Sequence, residues 1–109
     1  MAHDVFISYS SLDQAVANAI CAALEAQEIR CWIAPRDVLP GTEYGEAIVN
    51  AIKDCRAMVL VFSAHANESP QIRREVERAV SKGKIILPFR IENILPSGSM
   101  DYFMQYTLA

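Results

Sequence analysis

No stretch of this 109-residue chain approaches the roughly 18 consecutive apolar residues that a membrane span requires. The opening residues Met1-Ala2-His3-Asp4 carry neither a basic region nor a long apolar run behind them, so no secretory leader is expected and the chain reads as cytoplasmic. Positive charge is also short: ten Lys and Arg stand against thirteen Asp and Glu, a net charge of −3, which supplies no broad field for a phosphate backbone. Nucleic acid is therefore not an expected partner. Cysteine is sparse and odd in number; Cys21, Cys31 and Cys55 form no C-x-x-C and have no His at ligand spacing, so they read as reduced core thiols and no metal site is expected. Four glycines and five prolines are scattered rather than pooled, which leaves no linker to place and makes residues 1–109 a single domain. With 52% apolar and 21% charged residues, the composition is that of a folded globular domain and excludes disordered and fibrous classes.

The patterning then separates strands from helices. Val5-Phe6-Ile7 is a short β-rich run, followed by Leu12, Val16, Ile20 and Leu24 at helical spacing, with Ser11 and Gln14 placed for a capping box. Ile29 to Ile33 reads as a second strand, and Pro35, Pro40 and Gly41 enforce an irregular loop after it. Thr42 is the expected cap of a second helix marked by Tyr44, Ile48, Ala51, Ile52 and Cys55. Met58-Val59-Leu60-Val61-Phe62 is apolar without alternation, as in a strand covered on both faces. Ser69 and Pro70 open a third helix with an inward stripe of Ile72, Val76, Ala79 and Val80, which Gly83 ends. Ile85-Ile86-Leu87 is a fourth strand, and Met100, Phe103, Met104 and Leu108 give the tail helical spacing.

Four strand-then-helix alternations imply an α/β fold, a doubly wound parallel sheet with right-handed crossovers. With a flavodoxin-like strand order, a ligand crevice is expected beyond the carboxyl ends of strands one and three, with Tyr9 to Ser11 opposite Ser63 to Asn67.

Three segments resemble a known family. Asp4-Val5-Phe6-Ile7-Ser8-Tyr9 is similar to the first box of Toll/interleukin-1 receptor (TIR) domains, and Arg36-Asp37-Val38-Leu39-Pro40-Gly41 matches their second box, R-D-x-x-P-G, at every fixed position. Ser69-Pro70-Gln71-Ile72-Arg73-Arg74-Glu75 resembles the helix start that carries a glutamate in the NAD-cleaving, bacterial-looking branch, with Glu75 on that glutamate. The resemblance covers essentially the whole chain. It implies a flavodoxin-like TIR fold with NAD as substrate rather than cofactor, Glu75 as the catalytic carboxylate, and TIR–TIR self-association through the loop Arg36 to Gly41. Release of nicotinamide and ADP-ribose, or a cyclic relative, would then serve immune or anti-phage signalling. Two departures stand out. Several enzymatic members have Trp where this chain has Gln71, and the family usually continues into a fifth strand and closing helix, so the chain is expected to be a fragment lacking them.

The chemistry asks little of the protein. Glycosidases ordinarily need two carboxylates because an alkoxide must be protonated as it leaves. Nicotinamide leaves a pyridinium as a neutral molecule, so one carboxylate facing the oxocarbenium charge suffices. Around it, Tyr9, Ser10 and Ser11 follow strand one and are candidate ribose or nicotinamide contacts, Trp32 a stacking ring, and Arg36 a guanidinium for the pyrophosphate. His65 and Asn67 read as loop residues, and Met100, Tyr102, Met104 and Tyr106 as packing. The competing reading of Glu75 is a solvated helix residue paired with Arg78, which would leave a non-enzymatic TIR adaptor. A nucleoside deoxyribosyltransferase-like enzyme is chemically adjacent. A phosphoacceptor receiver domain is excluded, because the ends of strands one and three hold Ser8-Tyr9-Ser10 and Ser63-Ala64 instead of acids.

Overall fold

The computed structural model describes residues 3–104. Its elements follow in the order β1 (Val5–Ser8), α1 (Gln14–Ala26), β2 (Cys31–Trp32), α2 (Tyr44–Asp54), β3 (Ala57–Phe62), α3 (Ala64–Glu68), α4 (Pro70–Ser81), β4 (Ile85–Arg90) and α5 (Ser99–Met104). The four strands form one parallel sheet in the order β2-β1-β3-β4, with Val5 opposite Cys31 and Ala57, and Phe62 opposite Arg90. This is the flavodoxin-like winding, with the order reversing between β1 and β3.

Strand alternation divides the core into two layers. Phe6, Met58, Leu60, Phe62 and Ile86 point to the face covered by Ile48 and Ile52 of α2, Ile72, Val76 and Ala79 of α4, and Met100 of α5. Val5, Ile7, Val59 and Val61 point to the other face, against Ala17 and Cys21 of α1. The unbroken apolar run of β3 is thus what a central strand requires, since every side chain meets a helix or a neighbouring strand.

Several local expectations shift. The buried stripe of α1 is Ala17 and Cys21, with Ile20 and Leu24 packed beside them. Leu12 is 72% exposed and Val16 is also exposed, because the chain from Ser11 to Asp13 is a 3-10 turn whose tighter winding puts Leu12 out of phase with the helix after it. Ser10, not Ser11, caps that turn, its hydroxyl accepting from the Leu12 amide at 3.3 Å, and no Ser11–Gln14 capping box forms. Glu43 rather than Thr42 occupies the cap of α2. The second strand spans only Cys31 and Trp32, shorter than the β-rich run, since it pairs on one side alone. A short helix, α3, follows β3, its start capped by the Ser63 hydroxyl accepting from the Ala66 amide at 3.0 Å.

Ser69 caps α4 by accepting from the Ile72 amide at 3.2 Å, with Pro70 in its first turn. The helix ends as its sequence predicts: Gly83 at φ +74° donates to Val80, and Lys84 donates to Ala79, the paired closure that a left-handed residue permits. The fourth strand runs on past Leu87 through Pro88 to Arg90; a proline is tolerated there because a strand at the edge uses one side of its backbone for the ladder. The tail is helical over Ser99–Met104, with Met100 fully buried and Tyr102 exposed; Tyr106 and Leu108 lie outside the described residues. Among the described residues, no helix is long and apolar enough to cross a membrane.

Candidate active site

Because Phe6 faces the α2/α4 layer, Ser8 two residues on faces it too, at the carboxyl end of β1. On α4, Glu75 lies one turn beyond Ile72 and beside Val76, so the helix that packs its apolar stripe on the sheet carries the carboxylate down to the strand end. The two meet: Ser8 Oγ donates to Glu75 Oε1 at 2.7 Å, and Gln71 Nε2, one helical turn earlier, donates to Oε2 at 3.2 Å. Glu75 is only 8% exposed and Ser8 is buried. The carboxylate's partners are a hydroxyl and an amide, not Arg78. Burial pushes the Glu75 carboxyl above the ordinary carboxylate range, against the pull of the Ser8 and Gln71 hydrogen bonds and the charge of Arg74.

Glu75 opens into a crevice of about 190 Å³ whose other walls include Tyr9, Ser10, Ser11, Ala34, Tyr44 and Ser69. Tyr9 is braced by its hydroxyl, which donates to the Ala34 carbonyl at 2.5 Å, and burial raises the phenol, so it remains a neutral donor. Ser10 spends its hydroxyl as the cap of the following turn. On its far side Glu75 also borders a groove between α2 and α4 in which Arg74 and Arg78 stand with Tyr44 and Gln71.

The fold thus brings Tyr9, Ser10, Ser11 and Glu75 together and sends other expected residues elsewhere. The wall opposite β1 is built from the starts of α2 and α4, not from Ser63 to Asn67. Ser63 instead donates to Asp13 and caps α3, His65 is exposed, and Asn67 exchanges hydrogen bonds with Ser97 at 3.1 Å. Trp32 does not reach the crevice: it is 6% exposed and stacked on Phe6, ring centroids 5.1 Å apart, as part of the core. Arg36 is also absent from it. Its guanidinium holds both Glu25 oxygens at 3.0 and 2.9 Å, Asp37 at 2.9 Å and the Cys31 carbonyl at 2.9 Å, and so ties the loop to α1 and β2. Asp37 in turn accepts from the Ile33 amide at 2.9 Å, which folds the loop start back on β2. The paired apolar residues of that loop separate: Val38 packs on the core, whereas Leu39 is 70% exposed. Gly41, at φ +82°, makes the turn that a side chain would strain.

Ser8, Tyr44 and Ser69 escaped the sequence reading as site residues. Strand parity could have found Ser8, since a hydroxyl two residues after Phe6 on a buried strand needs a buried partner. The three cysteines are free and buried, and burial raises each thiol, that of Cys31 to about 12. No ligand spacing links them in sequence, yet the fold brings Cys21, Glu25 and Cys31 together.

Comparison with known proteins bears on this arrangement. Residues 5–107 match the family model described as TIR domain. The TIR domain of the Toll-related receptor TRR-2 from Hydra magnipapillata aligns with a TM-score of 0.81 at 24% identity, over 95% of this chain and 79% of that one. A metazoan TIR-STING receptor from C. gigas gives 0.76 at 23% identity, over 93% of this chain and 36% of that one. The TIR domains of the activated Roq1 resistosome, which directly recognises the pathogen effector XopQ, give 0.70 at 17%, over 84% and 60%. At these identities the likeness speaks for the fold. No curated protein matches the chain in sequence.

Proposed function

The chain belongs to the TIR domain family, and on that premise we propose that it cleaves NAD at the bond between ribose and nicotinamide, with Glu75 as the catalytic carboxylate. The observation that carries this reading is a glutamate held almost out of water by neutral donors at the sheet's switch point, a costly placement for a residue that only stabilised the fold. The glycosidic C–N bond breaks with its electron pair going to the pyridinium nitrogen, so nicotinamide leaves neutral. The ribosyl cation left behind faces Glu75 and is captured by water, which releases a proton to solvent and gives ADP-ribose, or by a nucleophile of the same molecule, giving a cyclic product. At about 4 Å and an effective dielectric near 20, the charge contact amounts to roughly 4 kcal/mol, on the order of a thousandfold in rate.

Tyr9 and Tyr44 supply the aromatic walls for nicotinamide, while Gln71 orients the carboxylate. The guanidinium groups that share a groove with the carboxylate, and so stand available for a diphosphate, are Arg74 and Arg78, in place of Arg36. The crevice of about 190 Å³ is smaller than the roughly 300 Å³ at which small-molecule pockets begin, and Leu39, which does not line it, stands exposed for a second copy whose docking would add further contacts to NAD.

That same small volume, with Leu39 exposed on its loop, favours a second reading, an adaptor that acts by TIR–TIR contact alone. One experiment separates the two. Nicotinamide release from NAD is followed across a wide dilution series for the chain and for Glu75→Gln, whose fold is checked by circular dichroism. Turnover that rises with concentration and vanishes in the variant is expected. A variant that keeps wild-type turnover overturns the role of Glu75, specific activity that is constant in a monodisperse monomer removes the assembly step, and silence at every concentration leaves the adaptor.

A further inference from the structure

Three side chains with ligand chemistry meet on the face of the sheet opposite the α2/α4 layer, beside a cavity that shares no lining residue with the Glu75 crevice. Cys21 and Glu25 are four residues apart on α1 and so share one face, and β2 lays Cys31 beneath them. The two sulfur atoms and a Glu25 carboxylate oxygen all lie within 4.8 Å of one another. Both cysteines are free and buried, whereas Glu25 is exposed, so the cluster is closed on its sheet side and open on the other. The opening is a cavity of about 490 Å³ lined in part by Glu25, Cys31, Arg36 and His3.

A cation already occupies this place. The Arg36 guanidinium donates to both Glu25 oxygens, stands 3.6 Å from Cys21 Sγ and holds the Cys31 carbonyl at 2.9 Å. Ligands bound tetrahedrally at about 2.3 Å for sulfur and 2.0 Å for oxygen stand roughly 3.5 to 3.8 Å apart, so closing the cluster onto an ion needs only about an ångström of contraction. Two sulfurs with one carboxylate suit a thiophilic ion and not magnesium or calcium, which take oxygen shells.

We propose that Cys21, Cys31 and Glu25 form a binding site for a thiophilic divalent cation of the zinc class, for which Arg36 is the built-in competitor. On binding, the two thiols release their protons to solvent, and Glu25 exchanges the guanidinium for the metal. Two thiolates and a carboxylate around a divalent ion leave one net negative charge, which faces the open cavity. Arg36 keeps Asp37 and the Cys31 carbonyl, so the loop remains tied while the guanidinium moves off Glu25. The fourth coordination position faces the cavity that His3 lines.

The test uses the reduced chain with zinc and, as a spectroscopic probe, cobalt(II). One ion per chain should bind, cobalt should show a thiolate charge-transfer band, and zinc should protect two of the three thiols from alkylation, leaving Cys55 unchanged. Glu25→Gln, at an exposed position, should weaken binding by at least about tenfold. Arg36→Ala should tighten it, a response that adventitious thiol binding would not give. The absence of a charge-transfer band, protection of Cys55 in place of Cys21 and Cys31, or an affinity unmoved by Arg36→Ala would overturn the proposal.

Discussion

Two glutamates on two helices show how differently one side chain is used in this domain. Glu25 stands at the surface end of α1 with the guanidinium of Arg36 on both its oxygens, and that hydrogen-bonded cation holds its carboxyl below the ordinary range. Glu75 lies almost buried on α4 with Ser8 and Gln71 as its hydrogen-bond donors and no ion pair among the described residues, and burial pushes its carboxyl up against these donors and the charge of Arg74. The first is paired because a surface helix and a loop needed joining. The second carries an incompletely answered charge, which the fold tolerates and a cationic transition state can use. Regions that stabilise a fold satisfy their charges, and a charge left wanting beside a crevice marks where chemistry is to be sought.

The contrast predicts opposite responses to pH, and the largest belongs to Glu75. Its folded pKa is raised above the ordinary 4.5, so between those two values the folded chain holds a proton that the unfolded chain has lost. Its contribution to stability is complete below 4.5 and is lost as pH climbs through the raised value. Catalysis needs the ionised form, so turnover should rise over the same interval in which stability falls. Glu75→Gln should remove the slope, lower turnover on the order of a thousandfold, and leave the domain about 1 kcal/mol more stable at neutral pH. Denaturant midpoints and NAD turnover across the acid-to-neutral range check this. A variant less stable than the parent at neutral pH would place Glu75 among the structural residues and erase the contrast.

A smaller effect sharpens it. Ser8 touches Glu75 and belongs to no other hydrogen-bonded group among the described contacts of the crevice. Ser8→Ala deletes one donor to a buried anion, a loss on the order of 1.5 kcal/mol, so turnover at neutral pH should fall roughly tenfold. The pH profile should also move further up, because a carboxylate with fewer donors is harder to ionise. Restoration by Ser8→Thr would tie the effect to the hydroxyl. An unchanged profile with lowered stability would show that Ser8 only fills space.

How much of this was visible beforehand depended on what each feature rests on. The sheet and its winding were legible because the apolar run of Met58 to Phe62 and the stripe of Ile72, Val76 and Ala79 depend on periodicity, which a linear sequence carries. The Glu75 position was legible through the motif around it, Ser69 to Glu75. Trp32 and Arg36 were misplaced for a common reason. Trp32 ends strand two and Arg36 lies in the loop after it, and proximity to a strand end predicts the crevice, but neither the ring stack on Phe6 nor the three-way grip on Glu25, Asp37 and Cys31 is encoded in spacing. The thiol pair was missed because Cys21 and Cys31 meet only when β2 is laid under α1, a contact of the fold and not of the sequence.

The smallest predicted effect belongs to the surface glutamate and has the opposite sign. Arg36 holds the folded pKa of Glu25 below 4.5, so between the two values the unfolded chain binds the proton that the folded chain refuses. The contribution of the pair is therefore present above 4.5 and lost as pH falls through the lowered value. Both side chains are well exposed, at 48% and 38%, and solvent screens them, so the pair contributes less than about 1 kcal/mol. Asp37 also keeps Arg36 charged and anchored after Glu25 is gone, which reduces the loss further. Glu25→Gln should accordingly lower stability slightly at neutral pH and converge with the parent in acid, the mirror image of Glu75→Gln. High salt should shrink the first difference more than the second, because a screened surface pair weakens with ionic strength and a buried carboxylate does not. Denaturation midpoints of both variants in low and high salt decide it. Equal salt sensitivity would mean that the two carboxylates share one environment, and the contrast between a satisfied charge and a wanting one would fall.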